Sequence, residues 1–99
     1  MNKVRAIVFH EHGVPEKVTR VEEIDVEPPK SGEVLVRMAA APVHPSDLNL
    51  IEGKYPIHPV LPAIAGSEGA GVVEEIGEQV AQVAPGDLVL LPRSFGTWR

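Results

Sequence analysis

The sequence contains no cysteine in its 99 residues. Disulfides, thiolate nucleophiles and thiolate zinc sites are therefore excluded within it. Aromatic residues are also scarce, at 4% of the chain. Because so few aromatic side chains are present, the core must be built mainly from Val, Ile, Leu and Ala, and each aromatic residue needs its own explanation.

The chain also lacks positive charge and long apolar runs. Its formal net charge is −5, which offers neither a basic patch for nucleic acid nor a basic amphipathic face for a membrane. No apolar run approaches the roughly 20 residues of a membrane-spanning helix. Residues 1–5 lead directly into a short apolar strand without a small-residue cleavage site, so we expect no signal peptide and a cytoplasmic protein.

Short strands joined by turns account best for the remaining pattern. The length suits one domain over residues 1–99, and 43% hydrophobic residues suit a folded one. Ten prolines and nine glycines interrupt the chain frequently. Strands are predicted at residues 4–8, 18–26, 33–41, from 72 onward, and at 88–91, the last of these buried on both faces. The sequence therefore predicts a mainly β, barrel-like domain with one short helical insertion.

The helical insertion is the polar stretch that follows the third predicted strand. Ser46 is its predicted N-cap, and Asp47 suits the positive end of the helix dipole. Leu48 and Ile51 are three residues apart and are predicted to pack inward together. Gly53 suits the left-handed conformation that commonly follows the end of a helix.

Tyr55 is the only tyrosine in the chain and stands between that helix end and Pro56. The proline restricts the backbone before it to extended geometry, which gives the phenol a defined direction. A phenol can donate a proton or a hydrogen bond to a substrate, although a half-buried tyrosine commonly does no more than bond a backbone carbonyl. Asn49 likewise either orients a substrate carbonyl or satisfies loop backbone.

The four histidines do not predict a metal site. His44 is a single imidazole without a neighbouring cysteine or an H-x-x-x-H spacing, and His10, His12 and His58 are no better arranged. Trp98 lies near the chain end in a loop context. It either packs into the core or lines a substrate pocket.

The glycine-rich segment that begins at Gly66 has the order G-x-x-G-x-G. A dinucleotide-binding fingerprint has the order G-x-G-x-x-G and continues into a helix, whereas this segment continues into a strand, so we reject that interpretation. Gly69 and Gly71 instead predict a strand that begins where another backbone or a ligand comes close. Glu68 either holds a neighbouring loop or is a solvated charge.

Three segments of the sequence resemble a known protein family. The segments Gly66–Val73, Ile76–Gly77 and Pro85–Val89 are similar to the signature of the N-terminal GroES-like catalytic domain of the medium-chain dehydrogenase/reductase superfamily. The resemblance spans most of the chain. It implies a GroES-like, partly open β-barrel with a short helical insertion.

Two further segments resemble one branch of that superfamily. Pro45–Asn49 and Glu52–Pro56 look like the zinc-free enoyl thioester reductases, the mitochondrial-type trans-2-enoyl-CoA/ACP reductases. Gly96–Arg99 strengthens this, since quinone reductases usually carry a Gly-Gly-Tyr or Gly-Ala-Tyr sequence there. Quinone oxidoreductases are therefore the second nearest resemblance.

The resemblance implies roles for individual residues. Tyr55 matches the tyrosine regarded as the proton donor, which protonates the α-carbon after hydride from NADPH reaches the β-carbon of a 2-enoyl thioester. Ser46, Asn49 and Trp98 match positions near the nicotinamide and the acyl pocket. His44 stands where zinc-dependent relatives have a cysteine ligand and zinc-free relatives usually have Asn. No catalytic zinc is implied, and His44 either tunes the site or is incidental.

The resemblance also implies a Rossmann domain that holds most of the NADPH, and the 99 residues contain no such domain. We therefore expect a fragment that is inactive alone and belongs to a homodimeric full-length enzyme. Its substrate is expected to be a small molecule, either a 2-enoyl-CoA/ACP thioester or a quinone, with no nucleic acid or membrane partner. A stand-alone GroES-like module for binding or assembly is the alternative. Acyl-chain length and carrier stay open.

Overall fold

The computed structural model describes residues 2–99 and confirms a mainly β domain. Its elements are β1 (Asn2–Phe9), α1 (Pro15–Val18), β2 (Thr19–Val26), β3 (Val34–Ala40), α2 (Pro45–Glu52), β4 (Ala63–Ile64), β5 (Gly69–Ile76) and β6 (Leu88–Leu91). The strands form two antiparallel three-stranded sheets, in the orders β2-β1-β4 and β3-β5-β6. The two sheets do not close into a barrel within the described residues, which agrees with a partly open GroES-like barrel with α2 as the helical insertion.

The short helix α1 was not predicted from the sequence. The second strand was expected to begin at Val18, but this residue closes α1 and the strand begins at Thr19. Pro15 is pre-organised for the first helical turn, and the hydroxyl of Thr19 donates a hydrogen bond of 2.6 Å to the carbonyl of Pro15. These two features favour a single helical turn that is too short to show helical periodicity.

The glycines of β5 allow close backbone contact, as the sequence predicted. A Cβ at Gly71 would lie 2.5 Å from the carbonyl oxygen of Arg37 on β3. A Cβ at Gly69 would lie 2.3 Å from the Met38 methyl group and 3.0 Å from the carbonyl oxygen of Ala40. The contacts confirm that these positions of β5 have no room for a side chain beside β3.

The core lies between the first sheet and α2. Phe9, Ile51 and Ala65 are fully buried together. Trp98 is partly buried against them, and its indole N–H donates a hydrogen bond of 3.1 Å to the carbonyl of Pro42. Trp98 therefore has the core contact that the sequence allowed, and its role in lining a substrate pocket stays a prediction.

The prediction that residues 88–91 are buried on both faces is wrong. Leu88 is 73% exposed and Leu90 is 78% exposed. Within the described part of the chain, β6 pairs only with β5 and is an edge strand. An apolar run predicts burial on both faces only where another layer covers each face, and in residues 2–99 one face of this strand has no layer over it.

Neither of the two helices in residues 2–99 has the length and apolar character needed to cross a membrane.

Candidate active site

The N-cap of helix α2 lies two residues earlier than predicted. Its N-cap is His44, not Ser46, and Pro45 takes the first helical position. The carboxylate of Asp47 reaches back and accepts a hydrogen bond of 2.8 Å from the backbone N–H of His44. This contact is one half of a capping box, and it stabilises a helix start at which Ser46 already lies inside the first turn.

The buried face of α2 also differs from the prediction. Leu48 is 38% exposed, whereas Leu50 and Ile51 are buried beside Asp47. The pairing of Leu48 with Ile51 was therefore wrong, because the inward face passes through residues 47, 50 and 51. Gly53 ends the helix with a left-handed φ of 82°, as predicted.

Asp47 connects α2 to the segment that precedes β5. The residue is only 2% exposed. Its Oδ1 accepts a hydrogen bond of 2.7 Å from the hydroxyl of Ser67, while its Oδ2 accepts the His44 backbone N–H. Both carboxylate oxygens are therefore bonded, which is the condition under which a buried charge is stable. The sequence predicted only an interaction with the helix dipole for Asp47. Its i+3 and i+4 spacing from Leu50 and Ile51 is the signal that could have placed Asp47 on the inward face of α2.

The ring of His44 contacts the other end of the same segment. Its Nε2 lies 2.9 Å from Oε1 of Glu68, but it is covered and makes no well-aligned hydrogen bond. Glu68 itself is exposed. Of the two roles left open for Glu68, contact with a neighbouring segment is the one that the structure contains.

A cavity of about 420 Å³ lies beside these contacts. It is lined by Ser46, Asp47, Leu50, Tyr55, Ile57, Ser67, Glu68, Arg93 and Phe95. The volume lies in the range of sites for small organic molecules, and the lining combines apolar and polar groups as such sites do. Tyr55 is half-buried in this wall. An organic molecule in the cavity would therefore meet a phenol, hydroxyls, carboxylates and apolar side chains.

The structure brings only some of the predicted site residues together. Tyr55 and Ser46 both line the cavity. Asn49 is exposed and outside the lining, and its carbonyl accepts the N–H of Lys54 in the helix terminus. His44 reaches the cavity only through Glu68, and Trp98 packs against the core. The chemical roles of all five residues remain predictions.

Part of the cavity wall comes from a loop that the sequence did not assign to the site. Arg93 and Phe95 lie on the loop after β6. The backbone N–H of Ser94 donates a hydrogen bond of 2.7 Å to the carbonyl of Ser67. Gly96 donates another, of 2.9 Å, to the carbonyl of Gly66. These bonds hold the loop against the glycine-rich segment. A contact between residues so far apart in the sequence leaves no local sequence signal.

The glycine-rich segment does not provide a cradle for dinucleotide phosphates. A Cβ at Gly66 would lie 2.4 Å from the Trp98 ring, and the space beside Gly71 is taken by the carbonyl of Arg37. These glycines therefore accommodate neighbouring protein atoms. The space beside Gly66, Gly69 and Gly71 is therefore not free for a phosphate group.

Within residues 2–99, no group of three or more His, Asp or Glu side chains is arranged to hold a metal ion.

Comparison with known proteins places these features in context. Residues 30–97 match the family model of the alcohol dehydrogenase GroES-like domain. The chain is 47% identical over 96 residues to a mitochondrial enoyl-[acyl-carrier-protein] reductase of Arabidopsis thaliana, covering 96% of this chain and 26% of the relative. The chain thus spans about a quarter of the length of this curated relative.

Solved structures of reductases are also similar to this chain. A protein from Bacillus thuringiensis assigned as an NADPH:quinone reductase matches with a TM-score of 0.89 at 43% identity, covering 99% of this chain and 30% of that one. The complex of Etr1p with NADP and crotonyl-CoA matches with a TM-score of 0.86 at 30% identity, with the same coverage.

These relatives correct one expectation from the sequence. The enoyl reductases that the chain matches in plants and vertebrates are mitochondrial proteins. The prediction of a cytoplasmic location was therefore wrong. It rested on composition and the first residues of the chain, and neither of these carries information on the compartment in which related enzymes work.

Proposed function

Because this chain belongs to the alcohol dehydrogenase GroES-like domain family, within the medium-chain dehydrogenase/reductase superfamily, we propose that it forms the substrate-binding part of an NADPH-dependent enoyl thioester reductase. The observation that carries the proposal is the position of Tyr55 on the wall of a cavity of about 420 Å³. Its similarity to enoyl-[acyl-carrier-protein] reductases and to the Etr1p complex supports the same substrate class.

When bound, NADPH would supply the hydride that adds to the β-carbon of a 2-enoyl thioester. The electron pair of the double bond moves toward the α-carbon, and negative charge develops on the thioester oxygen. Tyr55 holds a phenolic proton at the cavity wall and donates it to the α-carbon, and the resulting phenolate regains a proton from water. Leu50, Ile57 and Phe95 supply apolar surface for the acyl part of the substrate.

Most of the NADPH is proposed to bind outside these 99 residues. The glycine-rich segment is filled by Trp98 and by the backbone of β3, which supports a separate cofactor domain. The purified chain should accordingly not oxidise NADPH with crotonyl-CoA, whereas the full-length enzyme should. Measurable turnover by the chain alone would contradict the proposal that NADPH binds mainly in another domain.

A quinone reductase is the second candidate function. It is favoured by the structural match to the Bacillus thuringiensis protein assigned as an NADPH:quinone reductase. The two functions are separated by steady-state assays of the full-length enzyme with crotonyl-CoA and with 1,4-benzoquinone. We expect a higher kcat/KM for the thioester. A higher kcat/KM for the quinone would favour the quinone reductase function instead.

We also propose that the full-length enzyme is a homodimer. A related structure is a heterodimer of two similar reductase chains, Etr1p and Etr2p, which supports pairing of this kind of subunit. Sedimentation equilibrium of the full-length enzyme should give twice the monomer mass, and a concentration-independent monomer would exclude the dimer.

A further inference from the structure

Arg93 is the one cationic side chain among the nine residues that line the Tyr55 cavity. It is exposed, and within residues 2–99 it forms no ion pair or side-chain hydrogen bond. Its backbone has a φ of 51°, a left-handed conformation that is unfavourable for a side chain of this kind. The loop therefore holds a guanidinium at the cavity with all of its donors unused.

The two carboxylates that line the same cavity form no ion pair with Arg93 within residues 2–99. Asp47 is buried and accepts hydrogen bonds from the backbone of His44 and the hydroxyl of Ser67. Glu68 lies 2.9 Å from the imidazole of His44. Arg93 therefore remains available to an anionic group that comes from a ligand.

We propose that Arg93 binds the phosphate of a phosphopantetheine arm, and that this residue selects thioesters carried on such an arm. The inference rests on the proposed function and names its substrate class more narrowly. A guanidinium can donate two parallel hydrogen bonds to phosphate oxygens, a geometry that lysine cannot match. The acyl group and the neutral part of the arm would fill the cavity, and the charged end would emerge at the exposed wall, where Arg93 lies. Coenzyme A and acyl carrier protein both contain this phosphate.

The test compares two ligands that differ only in the phosphate. Isothermal titration calorimetry measures binding of crotonyl-4′-phosphopantetheine and crotonyl-pantetheine to the 99-residue chain without NADPH. The phosphorylated ligand should bind roughly tenfold more tightly, an advantage that weakens as ionic strength rises. Equal affinities in the unmodified chain, or binding of neither ligand, would overturn the proposal without any variant.

Substitutions of Arg93 test whether this residue causes the tighter binding of the phosphorylated ligand. Arg93→Asn removes the charge, and asparagine tolerates the left-handed backbone, while Arg93→Gln preserves more of the length. Both should lose the advantage of the phosphorylated ligand. Arg20→Gln, which removes an equal charge from an exposed position at the start of β2, should retain it. If the advantage survives in both Arg93 variants, the proposal fails.

Two further ligands distinguish the sources of the phosphate. If Arg93→Asn weakens binding of crotonyl-CoA and of crotonyl-acyl carrier protein equally, the shared phosphate is the group recognised. If only one of them is weakened, that carrier is the source, and if neither is, the inference is overturned. Binding is measured without reduction, so a ligand that binds through Arg93 but is never reduced would count against the proposed function alone.

Discussion

Asp47 accepts a hydrogen bond of 2.7 Å from the hydroxyl of Ser67, although the two residues are 20 positions apart in the chain. The bond ties the first turn of α2 to the segment that enters β5. Tyr55 follows α2, and the loop that carries Arg93 is bonded to the Ser67 backbone through Ser94. The Asp47–Ser67 pair therefore joins the two halves of the cavity wall.

Replacing Asp47 with Ala should lower the free energy of unfolding by about 1–3 kcal/mol, because the Ser67 hydroxyl and the His44 N–H then lose their acceptor in a buried place. Urea denaturation followed by circular dichroism measures the change. The control is Asp25→Ala, which breaks an exposed ion pair with Lys3 and should cost less than about 1 kcal/mol. Equal effects of the two substitutions would remove the structural role assigned to Asp47.

Gly71→Ala should destabilise the domain by about 2 kcal/mol or more, because the new methyl group would lie 2.5 Å from the carbonyl oxygen of Arg37. Gly86→Ala is the comparison. Gly86 has a φ of 97° but no atom within 4 Å of the added Cβ, so only backbone strain of about 1 kcal/mol applies. Thermal unfolding separates a steric clash from strain. The close packing of β5 on β3 would be refuted by a Gly71 variant as stable as the Gly86 variant.

Leu88 and Leu90 on the edge strand β6 should promote association of the 99-residue chain. Replacing both with Lys should lower the weight-average mass measured by light scattering and leave the thermal midpoint nearly unchanged, since both side chains are exposed. Lysines at the exposed positions Val43 and Val60 add equal charge outside the strands. If that control lowers association as much, net charge and not the β6 surface is responsible.

Five of the six strands could be predicted because alternation and turn residues are local signals, whereas the two-residue strand β4 is too short to show alternation. Gly53 likewise indicated the end of α2 from its place in the sequence alone. The partners of Asp47 could not be predicted, because a carboxylate at that spacing serves equally well on an exposed helix start. Leu88 and Leu90 misled for a related reason, since an apolar run indicates burial only when another layer covers it.

The candidate site was predicted in part for the same physical reason. Tyr55 stood out because it is the only tyrosine and is fixed between a helix end and a proline. Arg93 and Phe95 join it through backbone bonds between distant segments, which leave no trace in local composition. Sequence therefore indicated the phenol and missed the loop that contributes Arg93 and Phe95 to the lining of its cavity.

The central claim is that Tyr55 donates the proton in enoyl thioester reduction, and Tyr55→Phe in the full-length enzyme tests it most directly. Ile57→Val, which alters the same cavity wall without removing an acid, should leave kcat within about threefold. Steady-state kinetics with crotonyl-CoA and NADPH should show that kcat of the Tyr55→Phe enzyme falls by about 10²-fold or more while KM changes little. An unchanged kcat in a folded Tyr55→Phe enzyme would contradict the account.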